Sequence, residues 1–393
     1  MARRLHVRPP FRADHVGSLL RPQALYDLLQ EGKCSINDLE VAQNEAVKEV
    51  VSLQQEVGIK TITDGEMRRA QFFEGLFDLL EGMEFQPERP ITEFKKYISF
   101  IGFLLASGVP HFPSVYCNGK IRRTKPFYVD HFKFLKNLVS PENVKNIKVN
   151  MCAPTWFHQR HGSDQTYDLN VYKNDDEYFD DLACAYREEI RELYDLGCRH
   201  IQIDDPTFII FCDNRTVNGM EEAGVDSRAL LNTYIRAINL CTRDRPEDMT
   251  ISLHICRGNY RGQHFFEGTY DAIADQVFHK LDVDAFYLEY DDERSGTFAP
   301  LKHIPRNKAV VLGLVTTKRD ELETVEGLKA RVHEAATAMS QSGVRSKEEA
   351  LDQLCISPQC GFASVWQGNP IPQETQKQKL SLLVEAAKQI WPE

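Results

Sequence analysis

A repeated rhythm constrains this chain most: an amphipathic helix stopped by glycine, then a short β-branched run that ends in acid. The segment after Ser35 opens S-I-N-D, like a capping box, and its apolar residues Leu39, Ala42, Ala46, Val50, Leu53 and Val57 recur at spacings of three and four, which marks one helical face. Gly58 ends the helix and IKTITD follows. The pattern returns as Phe179, Leu182, Tyr186, Ile190 and Leu193, then Gly197, then CRHIQIDD. Helices alternating with short strands predict a parallel sheet, because parallel strands need a crossover between them and a helix supplies it.

Read this way, candidate strands fall near 14–17, 60–64, 146–151, 199–204, 250–255, 284–289, 309–313 and 353–357. Eight is the number that closes a barrel, so the expected fold is α/β, a (β/α)8 TIM barrel spanning 1–393 as one catalytic unit. A doubly wound sheet is the competitor, but no G-x-G-x-x-G follows the first strand. A long excursion over about 83–140, between the second and third strands, reads as an insertion. Its Asn118-Gly119 pair, flanked by β-forming residues, reads as a tight hairpin turn.

Charge narrows the function. A net charge of −11 argues against nucleic acid, which requires a basic face to release counterions. The local run Lys120 to Arg123 reads as a solvated surface. There is no run of about 18 apolar residues, so no membrane span is expected. The N-terminus MARRLHVRPPFRADH lacks the apolar stretch of a secretory leader. These readings predict a cytoplasmic protein whose ten cysteines are mostly buried, reduced thiols.

Barrel enzymes keep their chemistry at the C-terminal ends of the strands. The predicted ends carry His15 and Ser18, then Asp64 and Glu66, Asp204 and Asp205, His254 and Cys256, Glu289, Thr316 to Lys318, and Cys360 in SPQCG. Residues i and i+2 of a strand share a face, so His254 and Cys256 can grip one ion. With Glu289 and Cys360 they make one imidazole, two thiols and a carboxylate, a tetrahedral Zn2+ set with bonds of ~2.0–2.3 Å. Such an ion deprotonates a thiol whose free pKa is about 8.5 and so makes a nucleophile. Glu289 is the ligand expected to yield to an incoming sulfur. The competing readings are a core histidine beside a buried cysteine, and, for the acids, N-capping after each strand.

The order ADHVGS, TDGE, IQIDDP, LHIC, the Glu289 strand and SPQCG resembles the C-terminal catalytic barrel of cobalamin-independent methionine synthase over nearly the whole chain. The resemblance implies that His254, Cys256, Glu289 and Cys360 bind zinc. It implies that Ser18, Glu66 and Asp204 hold homocysteine, the two acids taking its ammonium and the Gly17-Ser18 turn its carboxylate. His15 joins them as a substrate-binding candidate, as do Trp156 for stacking a planar group and Arg257 for an acidic one. Asp204 and Lys318 are the catalytic candidates.

Three departures qualify the likeness. The full-length synthase resembles two fused barrels and only the catalytic half is present, which leaves the methyl donor open, folate or other. A homo-oligomer or a helper protein is a candidate partner, beside the thiol substrate and the methyl donor. Lys318 stands where the family has a proton-transferring histidine, and a lysine with a pKa of about 10.4 is a poor shuttle at neutral pH. The family's folate-stacking tryptophan is out of register with Trp156. The expected activity is therefore methyl transfer to homocysteine, giving methionine. The alternatives are alkylation of another thiol, as in epoxyalkane:coenzyme M transferases, and a non-catalytic zinc-stabilised scaffold.

Overall fold

The computed structural model describes residues 8–392. Part of the leader reading rests on residues 1–7, which lie outside the described residues. The sheet is parallel and runs in chain order: β3 (Lys148–Cys152), β4 (His200–Asp205), β5 (Thr250–Ile255), β6 (Ala285–Glu289), β7 (Ala309–Val315) and β8 (Leu354–Pro358). Every residue of these six strands is buried, as expected of a parallel sheet with both faces covered. Helices Asp175–Asp195, Ser227–Thr242, Asp271–Lys280 and Val325–Ser340 make four of the crossovers. Asn174, Asp226 and Thr324 start three of them by accepting a backbone N–H of the first turn, which satisfies a donor the helix cannot. The crossover between β6 and β7 uses only short 3-10 turns, Glu293–Ser295 and Ala299–His303.

The two strands expected near 14–17 and 60–64 do not form ladders. Each adds one parallel bridge at an edge of the sheet, Ala13 to Ile356 beside β8 and Ile62 to Ile147 beside β3. Buried polar side chains occupy the backbone groups that a ladder would use. Lys148 donates to the carbonyl of His15, Asn150 and Gln202 donate to that of Val16, and Thr63 Oγ1 donates to that of Gly17. The Gln54 amide bonds both backbone groups of Thr63. The two segments meet through Thr61 Oγ1 donating to Asp14 Oδ2 at 2.8 Å and the Leu19 N–H donating to the Gly65 carbonyl at 3.1 Å.

The excursion contains a two-stranded antiparallel ribbon, β1 (Leu80–Pro90) with β2 (His111–Arg123). Its turn is not Asn118-Gly119. A type I′ turn needs positive φ at both central residues, neither has it, and the pair lies inside β2. It lies in an irregular stretch of β2, residues 118–121, that faces the single residue Gly82 of β1, where a Cβ would lie 2.6 Å from the carbonyl oxygens of Gly119 and Lys120. The connection instead runs over 91–110 and includes the helix Ser99–Ala106. Two residues of the basic run of β2 help dock the ribbon, while Arg122 is exposed. Arg123 pairs with Glu189 and Glu192, and Lys120 with Asp181, all on the helix Asp175–Asp195.

Gly313 in β7 tests how tightly the strand ends are packed. A Cβ there would lie 2.5 Å from Gln359 Cα and 3.0 Å from the Leu288 carbonyl, and backbone cannot move aside cheaply. Gly313→Ala is expected to destabilise the protein by about 2 kcal/mol or more in urea unfolding. A midpoint equal to that of the parent would contradict this packing.

Candidate metal centre

The end of β5 presents His254, with Cys256 immediately beyond it. The ladder carries on past Ile255, since the Cys256 N–H donates to the Asp205 carbonyl at 3.0 Å, and this puts both side chains on one face. Glu289 ends β6 directly opposite Gly313. Cys360 follows β8 on a turn tied down by the Gln359 N–H donating to the Val315 carbonyl at 2.9 Å. Because Gly313 has no side chain, this turn can lie against β7 and bring Cys360 inward.

The four side chains converge. One donor atom from each of His254, Cys256, Glu289 and Cys360 lies within 4.8 Å of the others. The two sulfurs are 3.6 Å apart, and His254 Nε2 is 3.8 Å from Glu289 Oε1. Glu289 is fully buried, His254 and Cys360 nearly so, and Cys256 is half-buried.

Neighbours orient each donor. Asp204 Oδ1 faces His254 Nδ1 at 3.3 Å and is itself held by Gln202 at 2.7 Å, while Asn150 holds Oδ2 at 2.8 Å. This carboxylate-to-imidazole contact fixes a ring for metal binding through its other nitrogen. The Arg257 N–H donates to Glu289 Oε1 at 2.9 Å. The Gly258 N–H reaches the Cys256 sulfur at 3.3 Å and the Asn259 amide the Cys360 sulfur at 3.7 Å.

The electrostatics suit a cation. Burial alone would hold the imidazole of His254 neutral, but its bond to Asp204 and the charges of Cys360, Asp204 and Glu289 lift its pKa to about 9. The hydrogen bond between the two thiols raises Cys256 and lowers Cys360, so Cys360 is the more acidic of the two. Glu289 Oε2 is buried with no hydrogen-bond partner among the described residues, a costly state unless something positive meets it. Soft sulfur, imidazole and carboxylate in one pocket fit a divalent ion.

The remaining candidates divide. Glu66 is buried, holds left-handed backbone at φ 59°, lies 3.6 Å from Arg69 and leaves Oε2 unpartnered. Non-glycine residues keep such backbone where surrounding structure imposes it, often at functional sites. Ser18 lies against the Cys360 turn. Its Oγ accepts the Ala363 N–H at 3.4 Å and its carbonyl the Phe362 N–H at 2.9 Å.

His15 lies in the core, against the Thr61 carbonyl at 3.3 Å. Burial and then the charge of Lys148 hold it down at about 4. Trp156 is half-buried against Phe72 and Phe73, and the Arg160 guanidinium stands 4.1 Å over its ring.

Two expectations need correcting. Arg257 was expected to meet an acidic ligand group, but its fully buried guanidinium donates to the Gly268 carbonyl at 2.6 Å and stacks on Tyr270. Only its backbone N–H reaches the cluster. Lys318 was expected at the proton-transfer position, but its Nζ faces Glu289 at 3.9 Å. Burial there is outweighed by the negative charges of Glu289, Cys360, Asp291 and Cys256, so its pKa is raised, the wrong direction for a shuttle.

Sequence reasoning missed Asn150, Gln202 and Asn259. The first two are visible in retrospect as polar residues at alternate positions of apolar strands, Lys148 and Asn150 in KVNMC and Gln202 and Asp204 in HIQIDD.

A family of known proteins matches this part of the chain. The model of the catalytic domain of cobalamin-independent synthases matches residues 170–389, a stretch that includes all four cluster residues. The chain belongs to this family. The Bacillus subtilis relative YxjH is 34% identical over 98% of this chain and 96% of its own. A methionine synthase of Sulfolobus acidocaldarius is 27% identical over 79% of this chain and 76% of its own. A solved structure from Listeria monocytogenes, 31% identical, superposes with a TM-score of 0.72 over 98% of this chain and 99% of that one. Family and fold agree on an α/β catalytic domain.

Glu66 generates a prediction that needs no ligand. Burial, resisted by Arg69 but reinforced by Asp204 and Asp64, lifts its carboxyl from 4.5 to about 8. A raised value means that the group supports the fold while protonated, so its contribution is whole below about pH 4.5 and is lost as pH rises to about 8. Glu66→Gln should therefore gain on the parent by up to about 1.4 kcal/mol per pH unit within that window. Urea unfolding at several pH values checks this, and a stability difference independent of pH would refute it.

Proposed function

We propose that the protein is a zinc-dependent methyltransferase that moves a methyl group to the sulfur of homocysteine, forming methionine. The observation that carries this reading is the meeting of two thiols, an imidazole and a carboxylate within 4.8 Å at the ends of β5, β6 and β8. His254, Cys256, Glu289 and Cys360 would hold the ion, which when bound supplies acidity enough to keep a ligated thiol deprotonated at neutral pH. The family's synthase chemistry supports the same assignment, and so does the methionine synthase from Sulfolobus acidocaldarius among its relatives.

The protein's own groups do the positioning. Glu66, with Asp204 close enough to raise its pKa, offers an unpartnered oxygen to the substrate ammonium. A charge-assisted pairing in a buried cleft is stronger than its surface equivalent. Ser18 and the neighbouring turn lie beside the Cys360 loop, where a substrate carboxylate is expected. Holding the sulfur in line with the donor carbon removes much of the entropic barrier of a two-substrate reaction. The thiolate sulfur then forms the new bond to the methyl carbon while the bond from that carbon to the donor breaks. Its electron pair stays with the donor, which takes a proton from solvent. The methyl donor is a folate or another activated methyl compound.

Two measurements test this. The purified protein is expected to bind one equivalent of zinc tightly, and Cys360→Ala to weaken that binding by about a hundredfold or more in chelator competition. Equal affinity in the variant would remove Cys360 from the site. Zinc-loaded protein with homocysteine should yield methionine by mass spectrometry with at least one of methyl-folates of different glutamate length, methylcobalamin and small electrophiles. Alkylation of a different thiol, with homocysteine inert throughout, would overturn the substrate assignment.

A further inference from the structure

Glu289 and Lys318 face each other across a gap that neither closes. Glu289 uses one oxygen, since Oε1 accepts the Arg257 N–H at 2.9 Å and stands 3.8 Å from His254 Nε2. Oε2 lies 3.9 Å from Lys318 Nζ. Neither of those two atoms has a hydrogen-bond partner among the described residues, although the side chains are only 0% and 8% exposed. Buried ions of opposite sign are normally brought into contact, at about 2.7–2.9 Å, because each otherwise bears its desolvation cost alone. The shortfall of roughly 1 Å is within reach of a carboxylate swing.

The position of the lysine is also unfavourable for the site at rest. A fixed ammonium beside the donor cluster opposes any cation bound there. Asp291 offsets part of that charge, yet neither of its oxygens has a hydrogen-bond partner among the described residues, and Arg294 stands 3.9 Å from one of them. This arrangement becomes favourable once Glu289 turns away from the cluster.

We propose that Lys318 is a positioning residue that receives Glu289 when an incoming thiol takes its place on the metal. The inference rests on the zinc and thiol reading above. In the exchange one metal–oxygen bond breaks and one metal–sulfur bond forms. The thiol proton leaves to solvent, and Glu289 remains a carboxylate, now ion-paired to Lys318. The site thereby lowers the cost of freeing a ligand.

The test uses zinc-loaded full-length protein and Lys318→Met, with Lys318→Arg as the variant that keeps the charge. Zinc affinity is measured by chelator competition, homocysteine affinity by calorimetry, and the ligand shell by X-ray absorption before and after the thiol. The parent should exchange one light-atom ligand for sulfur. Lys318→Met should bind zinc more tightly and homocysteine more weakly, each by about tenfold, and keep its light-atom ligand, while Lys318→Arg restores the exchange. Opposite signs set this role apart from a structural one, which would lower both affinities together. Parallel losses, unchanged affinities with normal exchange, or failure of both variants to fold would each overturn it. A parent that gains no sulfur would instead refute the thiol-binding reading itself, and the role of Lys318 with it.

Discussion

The structure depends on bringing two thiols, a carboxylate and an imidazole into one buried pocket. Such groups repel or desolvate one another unless a positive charge joins them. The protein already shows that demand. The pKa of His254 is lifted to about 9 although the ring is buried, because its hydrogen bond to Asp204 and the negative charges of Cys360, Asp204 and Glu289 outweigh burial. An ion bound there meets donors whose positions are already set by Asp204, Asn259 and the backbone of Arg257 and Gly258.

The same pocket ends a polar seam through the sheet. Asp14 bonds Lys148, Lys148 bonds Gln202, Gln202 bonds Asp204, and Asp204 faces His254. Buried polar groups are tolerable only when every member is partnered. Here the partnering also uses the carbonyls of His15, Val16 and Gly17, so the seam holds the irregular edge segments in place without a ladder. Stability of the fold and orientation of the candidate ligand therefore share one set of side chains. Glu66, two residues past the second of those segments, holds left-handed backbone.

Much of this was legible in the chain, for identifiable reasons. The period of the apolar residues located the six strands of the parallel sheet, the helix that follows Ser35 and the helix that carries Phe179 to Leu193, because burial of one helical face and of whole parallel strands leaves a local imprint. The ligand set was legible because parallel topology puts strand ends together, so that HIC, the acid ending FYLE and SPQCG could be read as neighbours. The first two strands were misread as ladders, since nothing local in ADHVG or IKTITD says that Gln54, Asn150 and Gln202 will take up their backbone groups. Asn118-Gly119 misled because a turn preference is weaker than the long-range pairing that drew it into β2.

The sequence by itself determined the alternation of elements, the chemical types available at the strand ends and the family to which the chain belongs, since each is written in residue identity and spacing. Only the tertiary structure decided where individual charges point. It turned the Arg257 guanidinium into the wall, set Lys318 against Glu289, and made Asp204 a support for His254. The reason is physical: a long charged side chain can reach several ångströms in many directions, and which direction is least costly depends on partners brought close by distant parts of the chain.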